Sequence, residues 1–287
     1  MLKMNTREIV AKLNRLDARY LFAVMFVVTA FPLLIPLGIP VQTSAPVQLA
    51  YNTIQALPPH SIVLVGDEFQ APSWTELGPS YVAILKHLIR KEARLVFLSV
   101  FNGEAPAAFD VLIRPKVPTL SNYKYGVDYV ELGFVAGGES ALASFALNIQ
   151  KTVKFDKYGT AVENIPLVTN PLLKVTDFAL LLELDPGSHL PEYLRQFQAP
   201  YHIKAITICY GVSMPEYAPF IQTGQLSGMV ASIRGGAEYE LLIKEPGIAV
   251  AGIDAISTSH VAIAFFLIMG AAISLPDVWK SKTEKKR

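Results

Sequence analysis

The chain has 287 residues, of which 52% are hydrophobic and 17% charged, and its mean hydropathy is +0.36. This apolar excess is unusual for a freely soluble chain, so part of the sequence is expected to lie in lipid. A formal net charge of +1 without a basic stripe argues against a nucleic-acid partner, and the single Cys209 excludes an intrachain disulfide and any multi-cysteine metal site.

The first predicted element is a membrane helix over residues 20–39, a segment without charged residues. About 20 residues at a rise of about 1.5 Å each are enough to cross a hydrocarbon core of about 30 Å. Pro32 and Pro36 are expected to kink or end this helix near its far side, because each lacks the N–H that a helix needs. A cleaved signal peptide is the alternative, but the long charged region before the segment and Pro46 after it favour an uncleaved anchor.

A second membrane helix is predicted over residues 256–275, which are free of Asp, Glu, Lys and Arg. His260 lies near the start of this segment and is interpreted as an interfacial residue. A buried core helix is the alternative for both segments, yet neither shows the polar stripe that a globular helix presents to water.

Cations are concentrated in the N-terminal segment 1–19 and in the C-terminal tail 276–287, and none occurs between Val41 and Leu85. The basic residues of the two ends are Lys3, Arg7, Lys12, Arg15, Arg19, Lys280, Lys282, Lys285, Lys286 and Arg287. By the positive-inside rule both termini are expected to be cytoplasmic, and residues 40–255 extracytoplasmic. The predicted location is the plasma (inner) membrane.

Between the two membrane segments, apolar runs alternate with helical patterns. The predicted strands are 61–69, 94–101, 127–135, 177–184 and 203–211, and the predicted helices lie within 80–93, 138–150 and 188–197. Regular alternation predicts an α/β fold, with a Rossmann-like, mainly parallel sheet of about five strands and helices on both faces. Residues 106–125 and 154–175 show neither pattern and are expected to form loops or membrane-facing excursions.

Polar and glycine residues follow the predicted strands at the edge where an open parallel sheet binds ligands. The ligand-binding candidates are Gly66, Asp67, Gly137, Gly138, Glu139 and Ser213. The junction "GFVAGGES" matches neither the dinucleotide-binding nor the phosphate-loop pattern, and Glu139 would repel a phosphate. The favoured interpretation is that its glycines permit a tight turn and close packing, and the alternative is ligand contact through their backbone N–H groups.

Three strand-end carboxylates, Asp67, Glu68 and Asp185, are weak catalytic candidates that could hold a divalent cation or supply an acid and a base. Helix capping and solvation are the ordinary roles of such residues, and we favour them. The histidines lack metal-ligand spacing, and no serine-nucleophile motif is present. The sequence therefore predicts no metal site and no cofactor.

Small residues recur every four positions at Gly224, Gly228, Ser232 and Gly236. On a helix they would form a flat ridge that lets another backbone approach closely. Two interpretations stay open, a contact inside the domain and an interface between subunits.

Three functions follow from these patterns. The leading hypothesis is a membrane-anchored scaffold or assembly component of a homo-oligomer or larger membrane complex, with the lipid bilayer and other membrane proteins as partners. The alternatives are a membrane-tethered module that binds a small ligand and a metal-assisted hydrolase or transferase. No motif requires catalysis, so the sequence leans away from an enzyme.

Overall fold

The structure, a computed structural model, describes residues 17–284, with side chains described through residue 273. Its described part divides into two compact units, one made of residues 17–39 and 251–284 and the other of residues 40–250. Residues 1–16, which carry Lys3, Arg7, Lys12 and Arg15, lie outside the described residues, as do residues 285–287.

The unit 40–250 is built on one parallel sheet of six strands. The strands are β1 Ile62–Asp67, β2 Arg94–Ser99, β3 Tyr129–Phe134, β4 Phe178–Asp185, β5 Lys204–Cys209 and β6 Met229–Ala231. They lie in the order β3-β2-β1-β4-β5-β6, and every neighbouring pair is parallel. The predicted α/β fold with a Rossmann-like parallel sheet is confirmed.

Helices and shorter helical turns connect the strands and flank the sheet. The α-helices are α1 Ala18–Leu34, α2 Ala45–Gln55, α3 Trp74–Arg90, α4 Ala105–Ala108, α5 Glu139–Leu147, α6 Ile149–Thr152, α7 Pro166–Thr169, α8 Leu190–Tyr193, α9 Ala199–Tyr201, α10 Met214–Gln222, α11 Ser232–Leu242 and α12 Ile248–Glu284. Turns of 3-10 or π geometry cover Ala71–Ser73, Phe109–Ile113, Arg114–Lys116, Pro118–Asn122, Val162–Asn164, Val175–Asp177, Leu194–Gln198 and Gly211–Ser213.

Alternate side chains of the strands enter two separate hydrophobic cores. Val63 and Val65 of β1 belong to the core that contains α3, whereas Leu64 belongs to the core that contains α5. Because both faces of a parallel sheet are covered, its strands read as continuous apolar runs rather than as an alternation of apolar and polar residues. This explains why five strands were recognisable from the sequence.

The sixth strand was not predicted, because β6 lies in the segment whose four-residue spacing indicated a single helix. The prediction of one helix through Gly224, Gly228, Ser232 and Gly236 is wrong, since α11 begins only at Ser232. A strand of three residues is too short to produce a recognisable pattern, and it gains its hydrogen bonds only from pairing with β5.

The two segments that showed no pattern contain short helical turns rather than open loops. Between β2 and β3 they run from α4 to Pro118–Asn122, and between β3 and β4 they include the turn Val162–Asn164 and α7. Part of the second segment runs beside the edge strand β3, where the N–H of Lys157 donates to the carbonyl of Glu131 over 2.9 Å. Such coverage protects an edge from pairing with another chain. The expected membrane-facing excursions stay a prediction.

The unit 17–39 with 251–284 consists of α1, the chain that follows it, and most of α12. The Asp254 carboxylate accepts hydrogen bonds from the N–H groups of Leu37, Gly38 and Ile39 over 2.7, 2.8 and 3.0 Å. Further along the pair of helices, the Thr29 and Ser259 hydroxyls lie 2.8 Å apart. These polar groups are thus paired with one another, and such pairing is needed in lipid because the hydrocarbon offers no hydrogen-bond partner.

Among residues 17–284, one helix is long and apolar enough to span a membrane by length and composition, Ile248–Ile273 with 26 residues. The N-terminal helix α1 has 17 residues, about 26 Å at about 1.5 Å per residue. It ends at Leu34 because Pro36 forces the preceding residue, Ile35, into an extended conformation. The structure thus supports one candidate membrane helix and a shorter apolar one, instead of two full-length spans.

Candidate functional site

The order of the strands reverses between β1 and β4, and the carboxyl ends of these two strands therefore form the edge at which this class of sheet binds ligands. β1 ends with Gly66 and Asp67, and Glu68 follows; Asp185 ends β4. The structure brings all four residues to this edge. Successive side chains point to opposite faces of a strand, so Asp67 and Glu68 lie in different surroundings.

Glu68 is fully buried, and its hydrogen bonds connect the end of β1 to the chain that follows β2. Its carboxylate accepts hydrogen bonds from the N–H groups of Val100, Phe101 and Asn102 over 2.8, 3.1 and 2.8 Å. The hydroxyls of Ser99 and Tyr193 donate to it as well, over 2.9 and 2.7 Å. Burial raises the pKa of Glu68, and these hydrogen bonds oppose the rise.

Asp185 performs the same task at the end of β4. One carboxylate oxygen accepts hydrogen bonds from the N–H groups of Gly187 and His189 over 3.1 and 2.8 Å, and the other accepts one from the hydroxyl of Tyr217. Five donors engage Glu68 and three engage Asp185, so both carboxylates hold the loops that follow their strands. This arrangement gives no support to a metal-assisted reaction at these residues.

Gly66 permits an aromatic ring to lie across the end of β1. A Cβ atom at this position would lie 2.7 Å from ring carbons of Tyr193, which is fully buried. Next to Tyr193, the rings of Phe101 and His189 stack with their centroids 4.0 Å apart and their planes 4° from parallel. Aromatic side chains therefore fill the position beside β1 that other proteins of this architecture leave open for a ligand.

The glycine pair after β3 is required by the backbone. Gly137 has a φ of 130° and Gly138 a φ of 55°, a region that side-chain-bearing residues rarely enter. A Cβ atom on Gly138 would also lie 3.2 Å from the ring of Phe101. These contacts support the interpretation that the glycines permit a tight turn and close packing.

Glu139 begins α5 and forms a bidentate ion pair with Arg195, with distances of 2.9 and 3.0 Å. The amide of Gln196 donates a third hydrogen bond to the same carboxylate over 3.0 Å. The bonds from Arg195 and Gln196 lower the pKa of Glu139 to about 2. This side chain connects two loops of the edge and remains negative, which disfavours an anion at the glycine turn.

Asp67 differs from its neighbours because it has few donors. It is almost fully buried, the N–H of Phe69 donates a long hydrogen bond of 3.4 Å to it, and the Tyr81 hydroxyl is its other polar neighbour. It lines a cavity of about 10 Å³ together with Ser99, Glu131 and Gly133, which is room for a single water molecule. Burial, and next the charge of Glu68, raise the pKa of Asp67 well above its usual range.

A charged network that the sequence did not predict lies beside Asp67. Glu131, in the middle of β3 and only 3% exposed, pairs with Arg114 and with Lys157, whose Nζ is 2.7 Å away. Both cations also contact Asp110, over 3.0 and 2.7 Å, so two anions meet two cations. Full pairing is what permits such charges to be buried.

A signal for this network was present in the sequence. A glutamate in the middle of a buried strand requires partners, and each of the two segments without a pattern supplies one, Arg114 in the first and Lys157 in the second. Glu183 in β4 carries the same signal: it is fully buried, and it accepts a hydrogen bond from Thr207 over 2.7 Å. Burial and the nearby Asp185 raise the pKa of Glu183 well above its usual range.

The remaining candidate positions are Ser213, which follows β5, and the four small residues around β6. Ser213 is buried just before α10, and its N–H donates to the carbonyl of Tyr210 over 3.1 Å. A Cβ atom on Gly228 would lie 2.3 Å from the backbone nitrogen of Ala50, and one on Gly236 would lie 2.6 Å from the hydroxyl of Ser80. Ser232 starts α11, and Gly224, with a φ of 76°, faces open space.

Two of the four small residues are therefore used for packing inside the domain. This fact favours the internal interpretation for Gly228 and Gly236, while a subunit contact at Gly224 and Ser232 stays a prediction. Cys209 is fully buried in β5, and burial raises the pKa of its thiol. Within the described part of the chain, no group of three or more histidine, cysteine or acidic residues is placed to hold a metal ion.

Comparison with protein-family models, with curated proteins and with solved structures found no match for this chain. Its function is therefore inferred from its own geometry. At the carboxyl edge of the sheet, hydrogen bonds to Glu68 and Asp185 hold the loops, aromatic rings stack, and the carboxyl group of Asp67 is sparsely bonded.

Proposed function

We propose that this protein is a membrane-anchored assembly component that presents a rigid α/β domain to other chains, in a homo-oligomer or a larger membrane complex. The observation that carries the proposal is the engagement of Glu68 and Asp185 by the protein's own donors. Because these two carboxylates are hydrogen-bonded to the loops, they give this edge of the sheet a fixed shape and are not free to act as an acid, a base or a metal ligand.

The membrane part of the proposal rests on the unit 17–39 with 251–284. Large apolar side chains are exposed along both of its helices, including Phe22, Phe26, Phe265 and Leu267, while Asp254 is fully buried. Exposed apolar surface of this extent marks contact with lipid or with other helices. In the proposed topology both helices cross the plasma (inner) membrane, both termini are cytoplasmic, and the α/β domain is extracytoplasmic.

Single-cysteine labelling of intact cells tests this topology. In a Cys209→Ala background, a membrane-impermeant maleimide should label Glu104→Cys, an exposed position of the α/β domain, without permeabilisation. It should label Lys3→Cys only after the cells are opened. Labelling of Lys3→Cys alone in intact cells would show the opposite orientation, and extraction of the chain by alkaline carbonate would contradict membrane insertion.

Assembly is tested by cross-linking in native membranes, followed by mass measurement in a mild detergent. We expect products that contain more than one copy of the 31.4 kDa chain, or this chain with reproducible partners. Gly228 and Gly236 are unsuitable for disrupting an interface, because larger residues there collide with Ala50 and Ser80 inside the domain. A single uncross-linked chain under all conditions would contradict the proposal.

Binding of a small ligand is the second candidate, favoured by the partly exposed Phe101 and His189 stack beside the glycine turn. A flat ligand could extend such a stack. Thermal-shift screening of the intact protein should then find compounds whose effect is lost in Phe101→Leu and retained in Phe155→Leu, a change at an exposed ring elsewhere. Equal responses of the two variants would place any ligand away from this edge.

A further inference from the structure

His87 lies at a junction of three helices, in contact with groups of α2 and α11 while belonging to α3. Its Nδ1 atom lies 2.8 Å from the Tyr239 hydroxyl, and its Nε2 atom lies 2.9 Å from Oε1 of Gln55. Because the Gln55 oxygen only accepts, Nε2 donates to it, and Nδ1 accepts from Tyr239. Both ring nitrogens are thus satisfied in the neutral form, and the side chain is buried.

The charged groups that act on the His87 ring are cations. Tyr51 of α2 stacks on the imidazole with a centroid distance of 4.9 Å. Arg90 and Lys91 are the nearby charged groups, and Arg90 is itself paired with Glu245 over 3.5 Å. Burial first, and then the charges of Arg90 and Lys91, lower the pKa of His87 to about 4.

Protonation would remove the only acceptor that His87 offers to Tyr239 and would leave a buried charge. The hydrogen bond from Nε2 to Gln55, the last residue of α2, would remain, but Tyr51 of the same helix covers one face of the ring, so the charged ring reaches water only when α2 moves away. α2 also packs into the core through Val47, Ala50 and Ile54, and its Thr53 hydroxyl donates to the carbonyl of Ser227 over 3.0 Å, in the chain that leads into β6. It is also the helix whose Ala50 backbone contacts Gly228.

We propose that His87 is an acid-sensitive contact, which holds α2 against the rest of the domain at neutral pH and loosens it when the ring is protonated. When α2 is packed against the domain, the pKa of His87 is about 4, and when α2 moves away the imidazole regains its ordinary pKa of about 6.5. Between these two pH values the state with α2 detached therefore binds more protons. Opening is therefore favoured as the pH falls through this window. The contact acts in this way whether or not the chain assembles with others.

Hydrogen exchange of the full chain in detergent tests this proposal between pH 7.5 and pH 4.5, with rates corrected for the intrinsic effect of pH. Amides of α2 should open on the order of 100-fold more often at the lower pH, as the affinity difference for one proton implies. Amides of α5, on the opposite face of the sheet, should change much less. Unchanged protection of α2 across this range would overturn the proposal.

Two variants separate titration from a general loss of stability. His87→Gln keeps a donor and an acceptor without titrating, so the pH dependence of α2 opening should vanish even if its protection is lower at every pH. His60→Gln, at an exposed histidine, should retain the dependence of the original chain. Should His87→Gln fail to fold, NMR titration of the labelled original chain decides: a His87 pKa of about 6.5 or higher would overturn the proposal.

Discussion

Asp67 and Asp185 end neighbouring strands, but their carboxyl groups have opposite effects on stability. Asp185 accepts three hydrogen bonds, whereas Asp67 is buried with one long hydrogen bond and a raised pKa. A raised pKa means that the contribution of Asp67 to stability is present at low pH and is lost as the pH rises through its folded-state value.

We therefore expect Asp67→Asn to raise the melting temperature at pH 8 and to change it little at pH 4, because the variant cannot ionise. Asp185→Asn should lower the unfolding free energy at pH 7 by about 1–3 kcal/mol, since it places an amide where three donors need an acceptor. Thermal and urea unfolding in detergent at the two pH values measures both effects. A loss of stability in Asp67→Asn at pH 8 would contradict the assigned direction.

Glu68→Gln is expected to cost about 3 kcal/mol of unfolding free energy, because one carboxylate oxygen surrounded by donors becomes another donor. Urea unfolding of the detergent-solubilised chain measures the loss. Glu104→Gln, a change of the same chemistry at an exposed position in the neighbouring loop, should stay within about 0.5 kcal/mol of the original chain. Equal effects in the two variants would show that the five bonds to Glu68 contribute little.

At the level of elements, α2 and the connection that precedes β6 lie close together at Gly228. Gly228→Ala would place a Cβ atom 2.3 Å from the backbone nitrogen of Ala50, and a backbone atom cannot rotate away. We expect a loss of about 3 kcal/mol of unfolding free energy, at the upper end for overpacking. Gly103→Ala is the control, since its Cβ would meet the Phe134 ring at an ordinary 3.7 Å and should change stability by less than about 0.5 kcal/mol.

The pairing of α1 with α12 is tested by cysteine pairs. Thr29 and Ser259 have hydroxyls 2.8 Å apart, so sulfur atoms at these positions are expected to come within bonding reach. Mild oxidation of Thr29→Cys/Ser259→Cys in membranes should give an intramolecular disulfide, seen as a mobility shift on gels. Phe22→Cys/Ser259→Cys should remain reduced, because Phe22 points outward and is 73% exposed.

The sequence was sufficient for the five longer strands, because a buried parallel strand is a continuous apolar run such as "SIVLVGDEF". It failed for β6, since the four-residue spacing of small residues there arises from two unrelated contacts, Gly228 with Ala50 and Gly236 with Ser80. The position of Asp67, Glu68 and Asp185 at one edge followed from topology. The hydrogen-bond donors to these carboxylates could not be predicted, because every residue except proline carries a backbone N–H and the sequence does not show which of them point at a carboxylate.

On the scale of the whole molecule, the first membrane segment was the least accurate prediction. A count of about 20 apolar residues indicates a span, but the helix has 17 residues, contains Pro32 and ends before Pro36. The N–H groups of Leu37, Gly38 and Ile39 donate to Asp254 instead. Hydropathy does not reveal such a partner, since Asp254 is more than 200 positions away. The proposed topology rests on this unit and on the cations at the two ends of the chain.

The ring of Tyr193 over Gly66 also makes the end of β1 a place where binding could be created. Tyr193→Ala would leave a hole shaped like a phenol, with the Glu68 carboxylate at its polar end. We expect a cost of about 3–5 kcal/mol of unfolding free energy, part of which added phenol should restore by occupying the vacancy. Calorimetry would measure the binding of phenol and of the less closely matched cyclohexanol to this variant. Tighter binding of phenol would show that the ring of Tyr193 occupies a site with the shape of a ligand pocket.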